Sequence, residues 1–319
     1  MDSIELRIAG DLKIPVTMLR GAIGMAKSRC RKFSIPKKNG GRRSIIQPAV
    51  KVKPILSWLS LNIFSLLPVH GAATAFRKGK SILDNASIHK GSAYSVRLDL
   101  EDFFPSIKPR DLWQVMLDSR GLLPEWAIAQ DAFRLISDVC FDLNDRLPIG
   151  YSTSPEIANA VMHRIDATLA TAVLDDSRFG VAAITRYADD FVFSTDKRGA
   201  CKEFVDLLSK VVEATASPAL KINENKTRYM SRAGGSTIIT GLRVNNSGAV
   251  IVPAEYRDHV RLLLKLFDSG RLKSDEVPQL VGHLAFIEHV DPALFTKLSF
   301  SHYKNIEALR SLRDSESLS

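Results

Sequence analysis

Two adjacent aspartates, Asp189 and Asp190, stand in the string TRYADDFVFS (185–194), between two short apolar runs of strand-forming residues. Like charges side by side repel, and the string offers neither of them a lysine. An exposed turn in water would tolerate the pair, because aspartate is a common turn former. A cation would instead make use of it. A third carboxylate, Asp99, lies near the end of YSVRLDL (94–100), which alternates Val96, Leu98 and Leu100 on one face with Arg97 and Asp99 on the other, as a strand does. Hard oxygen ligands at two places on adjacent strands are what a pair of Mg2+ ions needs, since Mg2+ keeps several waters and takes one or two carboxylates plus substrate phosphates. Two such ions about 4 Å apart activate an attacking hydroxyl and stabilise a leaving pyrophosphate.

Charge points the same way. The net charge is +9, and the eight Lys or Arg residues between Lys27 and Arg43, with no acid among them, nearly account for the excess. This run contains FSIPKKNGGRRSIIQP, two strand-forming arms around Asn39-Gly40-Gly41. Asn-Gly favours a tight hairpin turn because both positions tolerate positive φ. A basic hairpin is a structured surface for phosphates, so a nucleic acid or nucleotide partner is expected. The alternative reading of such a run is a solvated face or an arm.

The elements that must hold these residues follow from periodicity. Residues 1–30 read as helical, 33–48 as the basic hairpin, and 52–67 as an amphipathic buried helix interrupted by Ser57, Ser60, Asn62 and Ser65. DLWQVMLDSRG, EWAIAQDAFRLISDVC and residues 156–174 are helical, the last with Ser154 or Pro155 near its start. Residues 181–187 and 190–194 form hairpin arms, followed by a helix at 199–214 and short strands near 219–222, 227–230, 236–244 and 249–252. Everything after Pro253 reads as helix. The pattern predicts an α+β body with a helical appendage. The acidic start of the chain is unlike a secretion signal, and no run approaches the roughly 18 apolar residues of a membrane span. Cys30, Cys140 and Cys201 are odd in number and far apart, which suits a reduced cytosol and argues against zinc. A cytoplasmic protein with no membrane partner is expected.

Three strings, RLDLEDFFPSI (97–107), LPIGYSTSP (147–155) and RYADDFVFS (186–194), occur in the order and at the spacings of the palm of reverse transcriptases. NENKT (223–227) and ITGLRVN (239–245) resemble the next two palm motifs, and RRSIIQP (42–48) with AFRKGKSILDNASIHKG (75–91) resembles the fingers motifs. The resemblance spans about residues 40–290. It implies a right-hand polymerase: N-terminal helices and fingers over 1–92, a palm of antiparallel sheet plus helices over 93–245 with a fingers segment around 110–150, and a helical thumb over 246–319. Asn85-Ala86-Ser87-Ile88-His89 matches the Asn-Ala-x-x-His signature of retron reverse transcriptases, and Ile239-Thr240-Gly241 is close to their Val-Thr-Gly triplet. The length also fits that subfamily, leaving no room for maturase and endonuclease extensions.

By this resemblance Asp99 and Asp189 are the principal metal ligands, joined by the backbone carbonyl of Leu100, with Asp190 in a less direct role. The implied cofactor is Mg2+, two ions, with Mn2+ as a substitute. Lys226 matches the lysine proposed to protonate departing pyrophosphate; the plainer reading is a solvated loop lysine. Arg43 matches the fingers arginine that clamps the incoming triphosphate, a role that suits its planar fork, and Lys78 acts near it or on template phosphates. Phe104 holds the position of the steric gate against a ribose 2′-OH, so deoxynucleoside triphosphates are the implied substrates; core packing is its other reading. Tyr187 belongs beside the primer end and Gly241 in the primer grip. Asn85, His89 and Thr240 fall in the signature tied to primer and RNA binding, though His89 also reads as a packed polar side chain. Ile149 and Gly150 lie in the nucleotide-contacting motif, where the family usually has Pro-Gln-Gly and this chain has Pro148-Ile149-Gly150; Ser152 also replaces a common proline. Isoleucine cannot hydrogen-bond, so fidelity, nucleotide affinity or processivity is affected there rather than the metal ligands.

Arg257, Arg261, Lys265, Arg271 and Lys273 of the helical tail could line a duplex or a structured RNA, which is read mainly by shape, phosphates and 2′-OH groups. For a retron enzyme the implied partner is its own structured non-coding RNA, serving as template and primer. Synthesis starts from the 2′-OH of a guanosine and leaves branched RNA joined to single-stranded DNA, in anti-phage defence with a separate effector protein. Two alternatives stand beside this reading. One is a reverse transcriptase related to group II introns or to diversity-generating systems; the other is a degenerate polymerase acting as an RNA-binding scaffold.

Overall fold

The structure, a computed structural model, describes residues 3–36, 40–235 and 237–316. Two helices, α1 (Ile4–Asp11) and α2 (Val16–Gly24), precede a hairpin of β1 (Arg31–Pro36) and β2 (Arg42–Gln47), then α3 (Lys53–Asn62). After α4 (Ile82–Ile88) the chain enters β3 (Tyr94–Asp99) and the helices α5 (Phe103–Ser106), α6 (Pro109–Asp118), α7 (Gln130–Cys140), α8 (Ser154–Val161), α9 (His163–Ala172) and α10 (Asp176–Phe179). A second hairpin, β4 (Ala182–Tyr187) and β5 (Asp190–Thr195), leads into α11 (Ala200–Ala214). Short strands β6 (Arg228–Ser231), β7 (Thr237–Ile239), β8 (Leu242–Val244) and β9 (Val250–Ile251) come next. The chain ends in α12 (Ala254–Asp268), α13 (Val277–Val290), α14 (Pro292–Ser301) and α15 (Tyr303–Glu316).

The described chain forms two compact units, one running up to Lys80 and from Val96 to Arg228, the other comprising Ser81–Ser95 and the chain from Tyr229 onward. The first holds the strands that matter here, β4, β5 and β3 from Val96 onward, hydrogen-bonded in the order β4-β5-β3. β4 and β5 are antiparallel, with Tyr187 opposite Asp190, so Ala188 and Asp189 form the turn and Asp190 opens the strand. Val192 and Phe193 of β5 are buried, and β5 packs on α11. The spacing of Ala200, Phe204, Leu208 and Val212 gives α11 one apolar face, and all four are buried. Phe204 stacks on Phe193 with ring centroids 4.3 Å apart, and Phe179 meets Phe193 edge-on at 5.7 Å. This aromatic layer packs the hairpin onto α11; truncating Phe204 to alanine should cost about 3–5 kcal/mol.

The basic hairpin pairs from Arg31 opposite Gln47 to Pro36 opposite Arg42. Lys37, Lys38 and Asn39 of its expected turn lie outside the described residues; Gly40 and Gly41 take φ of +83° and +79°. The helical stretch expected over residues 1–30 forms two helices, separated where Lys13 adopts φ +54° and Pro15 caps the start of the second. No strand forms at 219–222 among the described residues; Ile222 makes an isolated bridge to Leu100. No helix among the described residues is long and apolar enough to cross a membrane.

In the second unit β7, β8 and β9 form an antiparallel sheet against which α4 packs, followed by the four helices α12 to α15. The single strand expected over 236–244 is a hairpin, because Thr240 and Gly241 take φ of +46° and +82° and turn the chain between Ile239 and Leu242. Ser81 starts α4 with a reciprocal capping box: its hydroxyl accepts from the Asp84 N–H and its own N–H donates to the Asp84 carboxylate.

Candidate active site

The end of β3 and the turn of the β4–β5 hairpin are stitched together: the Leu100 N–H donates to the Asp189 carbonyl at 3.0 Å. That bond brings Asp99, Asp189 and Asp190 to one cavity of about 800 Å³ within the first unit. Asp99 is 5% exposed, and its backbone carbonyl accepts from the Asn223 N–H at 2.8 Å. Its Oδ1 accepts from Lys226 Nζ at 2.7 Å and from Asn223 Nδ2 at 3.3 Å. The NENKT segment thus folds back as a short turn onto the strand-end carboxylate.

Asp190 has a cation of its own. Arg97 reaches from β3 and grips it as a fork, Nε to Oδ1 at 3.1 Å and Nη2 to Oδ2 at 2.9 Å. Bidentate contact of this kind is geometrically specific. The repulsion raised by adjacent aspartates is therefore offset in part by a residue 93 positions earlier in the chain, which local sequence does not reveal. Asp189 has no such fork. Its carboxyl is pushed above the ordinary range first by burial, then by the neighbouring charge of Asp190 and that of Asp99, against Lys226. Asp190 is also raised by burial, against the pull of Arg97. Carboxylates perturbed by desolvation and by each other mark a functional site.

The rest of the cavity wall is mixed in sign and partly aromatic. Arg42 and Arg43 come from β2, Arg146 from the loop after α7, and Tyr187 from the end of β4. Phe104 lines the wall in edge contact with Phe103 at 5.2 Å and Phe76 at 6.4 Å. Phe76 is 54% exposed at φ +58°. Sequence reasoning gave no role to Phe76, Arg97, Arg146 or Asn223, although AFRKGK, RLDLEDFFPSI and NENKT held three of them and Arg97 shared the strand face of Asp99.

Pro148 and Ile149 line the cavity, and their loop is pinned to β2, since the Ile46 N–H donates to the Ile149 carbonyl at 2.8 Å. Gly150 does not line the cavity. It packs on β2 at φ +117°, where a Cβ would lie 2.7 Å from the Ile46 carbonyl oxygen. Lys78 is exposed and is not among the cavity's lining residues.

The expected primer and RNA residues of the second unit divide by burial. Asn85 and His89 are 0% and 2% exposed, so neither is offered to solvent. Asn85 Nδ2 reaches Thr240 Oγ1 at 3.5 Å, and that hydroxyl donates to the Ile82 carbonyl at 3.2 Å, tying α4 to the Thr240-Gly241 turn. Burial lowers the His89 imidazole to about 4. Arg257 and Arg261 of α12 both reach Asp258, at 3.5 and 3.2 Å, while Lys265, Arg271 and Lys273 are exposed.

Comparison with known proteins bears on this arrangement. The family profile of reverse transcriptase (RNA-dependent DNA polymerase) matches residues 35–274, a span that holds every cavity residue named above. The chain is 38% identical over 288 residues to the retron Ec73 reverse transcriptase of Escherichia coli, covering 89% of this chain and 90% of that one. It belongs to the retron-type reverse transcriptases. The retron Mx162 reverse transcriptase of Myxococcus xanthus is 32% identical, with 82% of this chain covering 58% of that longer protein. Among solved structures, an apo telomerase from Candida tropicalis aligns with a TM-score of 0.54 at 11% identity, over 89% of this chain and 62% of that one. That likeness is one of fold, and this retron-type reverse transcriptase has the helices and antiparallel sheets of the right-hand polymerase fold. The protein is an RNA-directed DNA polymerase.

Proposed function

We propose that this reverse transcriptase copies part of its own structured non-coding RNA into short single-stranded DNA, primed from an RNA 2′-OH and left branched. In this reading residues 93–245 act as palm with a fingers segment around 110–150, 1–92 as N-terminal helices and fingers, and 246–319 as helical thumb. The observation that carries it is the convergence of Asp99, Asp189, Asp190 and Lys226 on one cavity that also receives Arg42, Arg43 and Arg146. Carboxylates on one part of the wall and arginines on another suit a nucleoside triphosphate with its divalent counter-ions.

The donor set fits Mg2+. It is all oxygen, the chemistry Mg2+ prefers when it takes one or two carboxylates and keeps its remaining places for phosphates and water. Asp99, Asp189 and the Leu100 carbonyl would hold the ions, or Mn2+ in their place, with Asp190 kept to a supporting role by Arg97. When bound, two such ions activate the attacking hydroxyl and stabilise the leaving pyrophosphate. The chain's own residues do the rest. Arg43 binds the triphosphate, Phe104 excludes a ribose 2′-OH by bulk, Tyr187 packs beside the primer end, and Lys226 holds a proton within reach of the phosphates. A cytoplasmic role in anti-phage defence, with a separate effector protein, completes the proposal.

The test uses cells expressing the gene with its native upstream flank. Total nucleic acid is treated with RNase and resolved on a denaturing gel beside an Asp189→Ala, Asp190→Ala control. A discrete DNase-sensitive band, absent from the control, is expected. No band, with purified protein still extending a primer on an RNA template, would leave a reverse transcriptase that does not copy a retron RNA. An unaffected control would leave a scaffold.

A further inference from the structure

Arg186 lies within β4 of the catalytic hairpin, yet its side chain is 0% exposed. Its guanidinium grips Asp166 of α9 as a fork, Nε to Oδ1 at 2.8 Å and Nη2 to Oδ2 at 2.7 Å, and Asp166 is also fully buried. The remaining arm, Nη1, donates to the Ala188 carbonyl at 2.9 Å and to Asn159 Oδ1 at 3.3 Å. Asn159 in turn donates from Nδ2 to the Ala75 carbonyl at 2.9 Å, beside Phe76 on the cavity wall.

Stability alone does not account for such a network. Replacing a buried ion pair by apolar residues of similar volume is often neutral or stabilising. What Arg186 contacts is more informative. Ala188 stands at φ +58°, a region that favours glycine, and its carbonyl belongs to the peptide that carries the Asp189 N–H. A strained turn persists only where its surroundings over-determine it. The guanidinium arm does so on the Ala188 carbonyl, as the Leu100 N–H does on the Asp189 carbonyl.

We propose that Arg186 is a positioning residue. Clamped by Asp166 and Asn159, it fixes the Ala188–Asp189 peptide so that the Asp189 carboxylate faces the cavity, and through Asn159 it ties that turn to the Ala75-Phe76 segment. The proposal rests on the reading of Asp189 and Asp190 as catalytic carboxylates.

Two variants of the full chain test it by rapid-quench single-nucleotide incorporation on a primed RNA template. Arg186→Lys keeps a buried cation, but one nitrogen cannot fork Asp166 and reach Ala188 together. The double variant Arg186→Met, Asp166→Leu removes both charges at once. Each should lose roughly 10- to 100-fold in kcat, the scale of a misplacement near 1 Å. The KM for the nucleotide should stay within about twofold, because the lost interaction acts on the reacting geometry. The burst amplitude, which counts competent molecules, should stay near wild type. A wild-type rate per competent molecule in either variant overturns the proposal, even if the amplitude falls. Failure of both variants to yield folded protein assigns the network to folding and overturns it too. The Asp189→Ala, Asp190→Ala control separates the premises: if it still polymerises, the catalytic reading fails, whereas loss there with an active Arg186→Lys sinks only the clamp.

Discussion

Lys226 Nζ lies 2.7 Å from Asp99 Oδ1, joining a side chain that is 56% exposed to one that is 6% exposed. A cation therefore already stands on the oxygen that a divalent ion would need, and the ammonium must give way or share when that ion binds. Lys226→Met should lower the single-turnover rate by roughly 10²-fold, as for loss of a general acid. It should also lower the half-saturating Mg2+ concentration, because the competing charge is gone. Incorporation rates over a Mg2+ series read both quantities. An unchanged rate would remove Lys226 from the chemistry, and an unchanged Mg2+ requirement would show that the pair does not compete with metal.

Asp189 carries the opposite liability. Burial, then Asp190 and Asp99, raise its carboxyl, so the folded chain binds that proton more tightly than the unfolded chain does. The stability this group contributes is present in acid and is lost as pH rises through its unfolded value, about 3.9, and up to the raised folded one. Asp189→Asn should abolish polymerisation yet raise the thermal midpoint of the metal-free protein near neutral pH, by about 1–2 °C for each kcal/mol relieved. The gain should vanish in acid, and Mg2+ should narrow it by stabilising the wild type alone. Melting curves across pH, with and without Mg2+, decide it; a midpoint that falls at neutral pH contradicts the argument.

His89 runs the other way. Burial depresses its imidazole to about 4, so the unfolded chain takes up a proton below about 6.5 that the folded chain refuses. Stability is complete above that value and declines as pH falls toward 4, by up to about 3 kcal/mol. His89→Gln should flatten this part of the profile. Urea midpoints of both proteins, near neutral pH and near pH 4.5, make the comparison; parallel losses would assign the acid sensitivity to other groups.

What the sequence disclosed was what local order carries. Alternation placed Asp99 at the end of a strand, and two apolar arms placed Asp189 in a turn, because strand period and turn chemistry act over a few residues. The partners of those carboxylates were hidden, since Arg97 stands 93 residues from Asp190 and Lys226 127 from Asp99. Only the fold joins them. Ile239 to Leu242 reads as continuous strand because nothing in propensity announces a positive φ at Thr240. Asn85 and His89 stand in the signature tied to primer and RNA binding, with packing as the other reading of His89; both are buried, and Asn85 reaches the very turn that propensity missed.

Gly150 gives the sharpest separation between nucleotide binding and chemistry. Its φ of +117° disfavours any side chain, and a Cβ there would meet the Ile46 carbonyl oxygen at 2.7 Å and Ile45 Cγ2 at 2.9 Å. Those atoms belong to β2, the strand that carries Arg42 and Arg43 to the cavity. Gly150→Ala must push the loop from β2, at a cost of about 1–3 kcal/mol, and break the 2.8 Å bond from Ile46 to Ile149. The carboxylates, held by β3, β4 and β5, are not displaced by that movement. The KM for the nucleotide should therefore rise roughly tenfold with a much smaller change in kcat, the signature of lost ground-state binding. Ile149→Gln supplies the converse: it leaves the backbone alone and adds a hydrogen-bonding side chain to the cavity wall, so KM should fall. Incorporation rates across nucleotide concentrations measure both. If Gly150→Ala lowers kcat with KM unchanged, the loop supports the carboxylates rather than the triphosphate site, and the division of labour argued from β2 is wrong.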